Sequence, residues 1–129
     1  MQALQLPSHD LVQAALKGFF ALADFWGLTA QEGMVLLGIP SRSTYQLYKR
    51  AGAAQLNPDT LDRISYLLGI HKALGILFSR HPESVRDWMR TPNAHPLFAQ
   101  RTPLEFILSG KLKDLYLVRN HLDSERSGW

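Results

Sequence analysis

The chain contains no cysteine, which excludes a disulfide framework and any thiolate metal site. No apolar run approaches the roughly 18 residues needed to span a bilayer. Its N-terminus lacks the basic flank and apolar core of a secretory signal, so no membrane partner and a cytoplasmic location are expected. Strand-like alternation of apolar and polar residues is nearly absent, and so are internal repeats. Charge imbalance is missing from the first half: Lys17, Arg42, Lys49 and Arg50 offset Asp10, Asp24, Glu32 and Asp59 in residues 1–60. The formal net charge of +3 therefore belongs to residues 61–129, and only a local cluster of cations would mark a nucleic-acid surface.

Enzymatic signatures are missing as well. The five histidines, His9, His71, His81, His95 and His121, form no i, i+4 pair and no HExxH arrangement, so capping, surface or packing roles are expected and no metal. There is no GxSxG elbow and no GxGxxG or phosphate loop. Neither catalytic residues nor a cofactor are expected, and the protein is not read as an enzyme.

What is present is helical periodicity throughout, which predicts an all-α fold. With 129 residues and 46% hydrophobic content, the chain is large enough to bury one sizeable core. Ser8 is placed to cap a first helix carrying Leu11, Val12, Ala15, Leu16, Phe19, Leu22 and Trp26, which ends near Gly27. Thr29 and Glu32 have capping-box spacing at the start of a short second helix that stops at Gly38. A third helix runs from about Ser41 to Arg50. Asn57 and Pro58 then open a long helix with Leu61, Ile64, Leu67, Leu68, Leu74, Leu77 and Phe78. His81 and Pro82 separate it from a helix bearing Val85, Trp88 and Met89. Three prolines, Pro92, Pro96 and Pro103, stiffen the connector to Thr102 and Glu105, a second capping box. Gly110 closes that short helix, and a last one carries Leu112, Leu115, Val118 and Leu122. The division expected is residues 1–56 and residues 57–129.

Residues 32–50 read as a helix-turn-helix, in which the N-terminal residues of the second helix face base edges in the major groove. Ser41, Arg42, Ser43 and Gln46 are the candidate base-reading residues, with Arg42 suited to guanine and Gln46 to adenine. Lys49 and Arg50 suit phosphates. Residues 41–50 hold three cations and no acid, the local cluster that the global count lacks. Met34 stands where a tight helix crossing favours a small residue. The aromatic residues Phe19, Phe20, Phe25 and Trp26 occupy more than one face of the first helix, so most belong to the core and the rest to a contact with a second copy. A homodimer would also match the two-fold symmetry of operator half-sites.

The C-terminal part resembles the toxin-binding domain of the Xre/MbcA/ParS group of bacterial antitoxins. The likeness is carried by Asp62-Arg63, by Trp88-Met89-Arg90-Thr91-Pro92-Asn93, by Thr102-Pro103-Leu104-Glu105-Phe106-Ile107, and by Val118 and Leu122. The upstream helix-turn-helix is similar to the Xre-like region of such antitoxins. Where the family shows a Gly-Gly pair in the loop, this chain has Pro96-Leu97-Phe98-Ala99. The resemblance implies a RES-domain toxin as partner, from a family that consumes NAD, and repression of the shared operon. Together with the stiff connector and the basic residues clustered in sequence there, it points to toxin contact on the 91–101 loop, the helix start at Thr102 and the last helix with its tail, with Asn93, Leu97, Phe98, Arg101, Lys111, Lys113, Arg119 and Trp129 as candidates. Arg90 and Arg126 extend the same basic stretch. The competing reading is a stand-alone helix-turn-helix regulator whose C-terminal half only dimerises.

Overall fold

The computed structural model describes residues 9–127, so the Ser8 cap and Trp129 lie outside the described residues. Seven helices follow one another: α1 (His9–Trp26), α2 (Ala30–Leu37), α3 (Arg42–Ala51), α4 (Pro58–Leu77), α5 (Glu83–Arg90), α6 (Pro103–Ile107) and α7 (Leu112–Ser127). No strand occurs among the described residues, and the all-α expectation holds.

The helix ends sit where local chemistry supplies partners for the backbone groups that a helix leaves unpaired. Thr29 and Glu32 complete their capping box, Glu32 N donating to Thr29 Oγ1 at 3.1 Å and Thr29 N to Glu32 Oε1 at 2.8 Å. Thr102 and Glu105 repeat it at α6, and the bonds from Thr102 hold the exposed Glu105 carboxyl below its ordinary pKa. Asn57 Oδ1 accepts from Thr60 N at 2.8 Å at the head of α4, with Pro58 in the first turn. Gly38 ends α2 in the left-handed region, φ 70°, where glycine carries no Cβ penalty.

α4 is the central element. It packs most extensively on α7 and α1 and also touches α2 and α5. Being covered on several sides explains why its apolar residues do not keep to one stripe: Ile64, Leu67, Ile70, Ala73 and Leu74 are all buried. α1 contributes Val12, Leu16, Phe19, Leu22 and Trp26 to the same core, and α7 contributes Leu115, Val118 and Leu122. Polar ties cross this core. Trp26 Nε1 donates to His71 Nδ1 at 3.0 Å, which keeps that imidazole nitrogen unprotonated, and burial lowers the His71 pKa. Arg63 donates to Asp59 Oδ2 at 2.8 Å and to the Gly110 carbonyl at 2.7 Å, joining α4 to the turn before α7.

Candidate DNA-binding and partner-binding surfaces

α2 and α3 meet at a close crossing made by Gly33. A Cβ there would collide with the Tyr45 hydroxyl, so the small residue that the motif requires is Gly33, while Met34 is buried beside it. The concern over Met34 is thereby corrected: the crossing lies one position earlier. Tyr45 turns inward from α3 and packs edge-on against Phe20 at 5.2 Å and Phe19 at 6.4 Å. Its pKa is raised by burial and, secondarily, by the nearby Asp24.

Arg42, Ser43, Gln46, Lys49 and Arg50 are all exposed: helical geometry turns Ser43, Gln46 and Arg50 away from the buried Tyr45, while Arg42 and Lys49, one turn before and after it, flank it at the edge of the core. Ser41 is half-buried as the N-cap; its Oγ accepts from Thr44 N at 3.2 Å and lies 3.0 Å from Ser43 Oγ. Among the described residues no carboxylate lies within ion-pair distance of Arg42, Lys49 or Arg50. Leu47, which the sequence reading passed over, is 44% exposed on the same helix. Its signal was an apolar residue out of phase with Tyr45 and Tyr48.

The connector after α5 is pinned rather than open. Asn93 N donates to the Arg101 carbonyl and Gln100 N to the Asn93 carbonyl, each at 3.0 Å, closing the loop at its base. Asn93 Oδ1 accepts from His95 N at 2.9 Å, and His95 Nδ1 accepts from Leu97 N at 3.1 Å. Inside this frame Phe98 is fully buried, edge-on to Trp88, Phe106 and His121. Its assignment as a partner contact is corrected: the prolines and the two backbone bonds fold the loop over its own aromatic plug. Ala99 and Gln100 have φ of 50° and 70°, so left-handed backbone falls on two residues that lack glycine's freedom.

Other candidate cations also have internal partners. Arg101 Nε donates to the Phe98 carbonyl at 3.0 Å and its guanidinium lies 5.0 Å from the centre of the Phe106 ring. Arg119 pairs with Asp123 at 3.2 Å. Arg90 reaches back to the end of α1, donating to the Trp26 and Gly27 carbonyls at 3.0 and 2.8 Å, where α1 has no basic residue of its own in the last turn. Lys111 and Lys113 are exposed at the head of α7, Lys113 standing 3.9 Å from Asp114. Lys113 and Arg126 are about 20 Å apart along α7, so the basic stretch does not form one patch. Asn93 and Leu97 are half-buried on the loop surface.

The loop and α7 are joined by a pair of imidazoles: the His95 and His121 ring centres are 4.3 Å apart. Burial, then His95, lowers the His121 pKa, with Glu125 opposing. Together with Trp88, Asn93 and Glu125 they line an open hollow of about 300 Å³. Sequence spacing did not single it out, because its members come from α4, α5, the loop and α7. Among the described residues no cluster of three or more His, Asp or Glu side chains is arranged to hold a metal ion, and no helix is long and apolar enough to cross a membrane.

A capped α2, a close glycine crossing and an outward cationic α3 define a helix-turn-helix protein with a helical C-terminal half. The sequence comparisons agree. Residues 7–69 match the family described as the antitoxin Xre-like helix-turn-helix domain, and residues 73–128 match the antitoxin Xre/MbcA/ParS C-terminal toxin-binding domain. The chain is also similar to uncharacterized protein y4oB of Sinorhizobium fredii (strain NBRC 101917 / NGR234), 44% identical over 124 residues covering 95% of this chain and 93% of that protein. The chain belongs to the Xre/MbcA/ParS family of antitoxins. The two matched regions meet within α4, the helix against which both α1 and α7 pack.

Proposed function

We propose that this antitoxin neutralises a RES-domain, NAD-consuming toxin encoded beside it and represses the shared operon as a homodimer through α3. The observation that carries the DNA reading is the outward stripe of α3: Arg42, Gln46, Lys49 and Arg50 exposed, with the three cations lacking carboxylate partners among the described residues. Arg42 and Gln46 read base edges, Ser41 and Ser43 hold the helix start, and Lys49 and Arg50 take phosphates. Leu47 joins them as an apolar contact for a thymine methyl group.

The toxin meets the 91–101 loop and the last helix. Asn93 and Leu97 form the loop's contact surface, Lys111 and Lys113 supply a cationic rim suited to a site that binds the phosphates of NAD, and Arg101 and Arg119 hold the loop and α7 in shape beneath it. Trp129 adds an aromatic anchor at the tail. Dimerisation is supported by an open, mostly apolar groove of about 980 Å³ between α1 and α4, lined by Ala14, Ala15, Leu61 and Leu68 among others, and by Phe25, 43% exposed on α1.

The test is co-expression with the adjacent RES-domain frame. Restored growth, co-purification and a gel shift on the upstream operon DNA are expected. Failure to rescue growth would remove the toxin assignment, and absence of a shift in low salt, with or without toxin, would remove the DNA assignment. Monomer alone at high micromolar concentration in light scattering would remove the dimer.

A further inference from the structure

The hollow between α5, the connector and α7 takes no part in the α3 surface, and its lining contains no lysine or arginine. At about 300 Å³ it sits at the small end of ligand pockets, with room for one long side chain and not for a helix. Its walls are Leu77 and Phe78 at the end of α4 and the indole of Trp88. Trp88 is held by the buried Phe98 ring 5.7 Å away, so little side-chain ordering remains when something docks on it.

The polar side of the hollow holds Asn93, two imidazoles and one carboxylate. His95 Nδ1 is occupied in accepting the Leu97 N–H, and burial disfavours the charged form of His121. The Glu125 carboxylate stands half-exposed at the mouth. Among the described residues its only basic neighbour within ion-pair range is His121 Nε2 at 3.9 Å, beyond hydrogen-bond length. Arg126, one residue on, is turned toward Asp123 instead, at 3.8 Å. A carboxylate and an indole that converge on a pre-formed hollow match a planar cation: a guanidinium both forks onto a carboxylate and stacks on an aromatic face, which an ammonium does less well.

We propose that this hollow is a socket for an arginine side chain on the surface of the toxin, bound between the Glu125 carboxylate and the Trp88 indole. The proposal rests on the reading of the C-terminal half as the toxin-binding surface. It adds a source of register to that surface: a negative socket at Glu125, about 18 Å along α7 from Lys113, accepts a cation at a single point, while Lys111 and Lys113 attract anions at the other end, which disfavours shifted dockings.

Two measurements separate the socket from the toxin reading. In the first, the full-length protein is titrated with N-acetyl-arginine-N-methylamide and followed by NMR, with the glutamine analogue as control. Saturable shifts confined to the Trp88 indole and the His95 and His121 rings are expected for arginine alone, and Glu125→Gln should weaken them by about tenfold. Absent shifts, shifts elsewhere, or equal shifts with the glutamine analogue overturn the socket. In the second, the RES-domain toxin is captured on the wild-type protein and on Glu125→Arg, with thermal melts confirming that both are folded. The variant should bind at least about tenfold more weakly. Equal capture overturns the socket. No capture by the wild type, with arginine shifts intact, overturns the toxin as the source of the arginine.

Discussion

By count the excess positive charge lies in residues 61–129, yet most arginines there are held by partners in the same chain, whereas the three cations of α3 stand exposed together on one helix with no carboxylate beside them among the described residues. In the C-terminal half, Arg63, Arg90, Arg101, Arg119 and Arg126 have carbonyl, carboxylate or ring partners within the same chain. In the helix-turn-helix, Arg42, Lys49 and Arg50 all reach solvent around the buried Tyr45. The difference teaches that charge available to a partner is set by what each side chain already holds, not by the number of cations in a segment. A cation that caps a helix or bridges two elements stabilises the fold. A cation left at an exposed helix face retains its charge for a ligand.

The sharpest way to break this contrast is to damage the structural side first. Phe98→Ala should destabilise the protein by about 3–5 kcal/mol, as removal of a fully buried ring does, read by chemical denaturation; a loss near zero would return Phe98 to the exposed surface. Arg42→Ala should leave the melting temperature unchanged and reduce discrimination between operator and unrelated DNA by about 1–3 kcal/mol, measured by competition gel shift. Arg90→Ala should do the reverse, lowering stability by about 1–2 kcal/mol through loss of the α1 cap, with DNA affinity per folded molecule preserved.

Smaller effects sharpen the account of the loop. Replacing Ala99 or Gln100 by glycine should raise stability by about 0.5–1 kcal/mol, because relief of left-handed strain exceeds the entropy that glycine adds to the unfolded chain. The least pronounced effect is expected from pH, since His71 and His121 are only partly buried. Burial holds both below the ordinary imidazole value of 6.5, so the unfolded chain takes up protons first as pH falls. Their contribution is fully present above 6.5, declines as pH drops through that value, and levels off once the folded-state imidazoles also titrate. Melts at pH 7.5 and 5.5 check the sign, and His71→Asn with His121→Asn should flatten the dependence.

The order of helices was legible because their limits are written in signals three or four residues apart: Thr29 with Glu32, Asn57 with Pro58, Thr102 with Glu105. The polar set on α3 was read from the helix-turn-helix pattern, which places small polar residues at the start of its second helix and cations at the end. What escaped depends on partners far along the chain. Phe98 lies in a proline-rich loop that reads as surface until Trp88, Phe106 and His121 close around it. Arg90 looks like part of a basic stretch, although its acceptors are on α1. The His95–His121 pair joins residues with no helical spacing between them. Gly33 was missed by one position, because Met34 and Gly33 are both buried and only the crossing geometry distinguishes them.

The most direct test of the central contrast is the salt dependence of operator binding, measured between about 50 and 200 mM salt for the wild type, Lys49→Ala and Arg90→Ala, each corrected for the folded fraction. Lys49→Ala should reduce the slope of log K against log salt by about 0.9, the share of one phosphate contact, while Arg90→Ala leaves it unchanged. A slope unaltered by Lys49→Ala, or flattened as much by Arg90→Ala, would contradict the division between cations that face a ligand and cations that hold the fold.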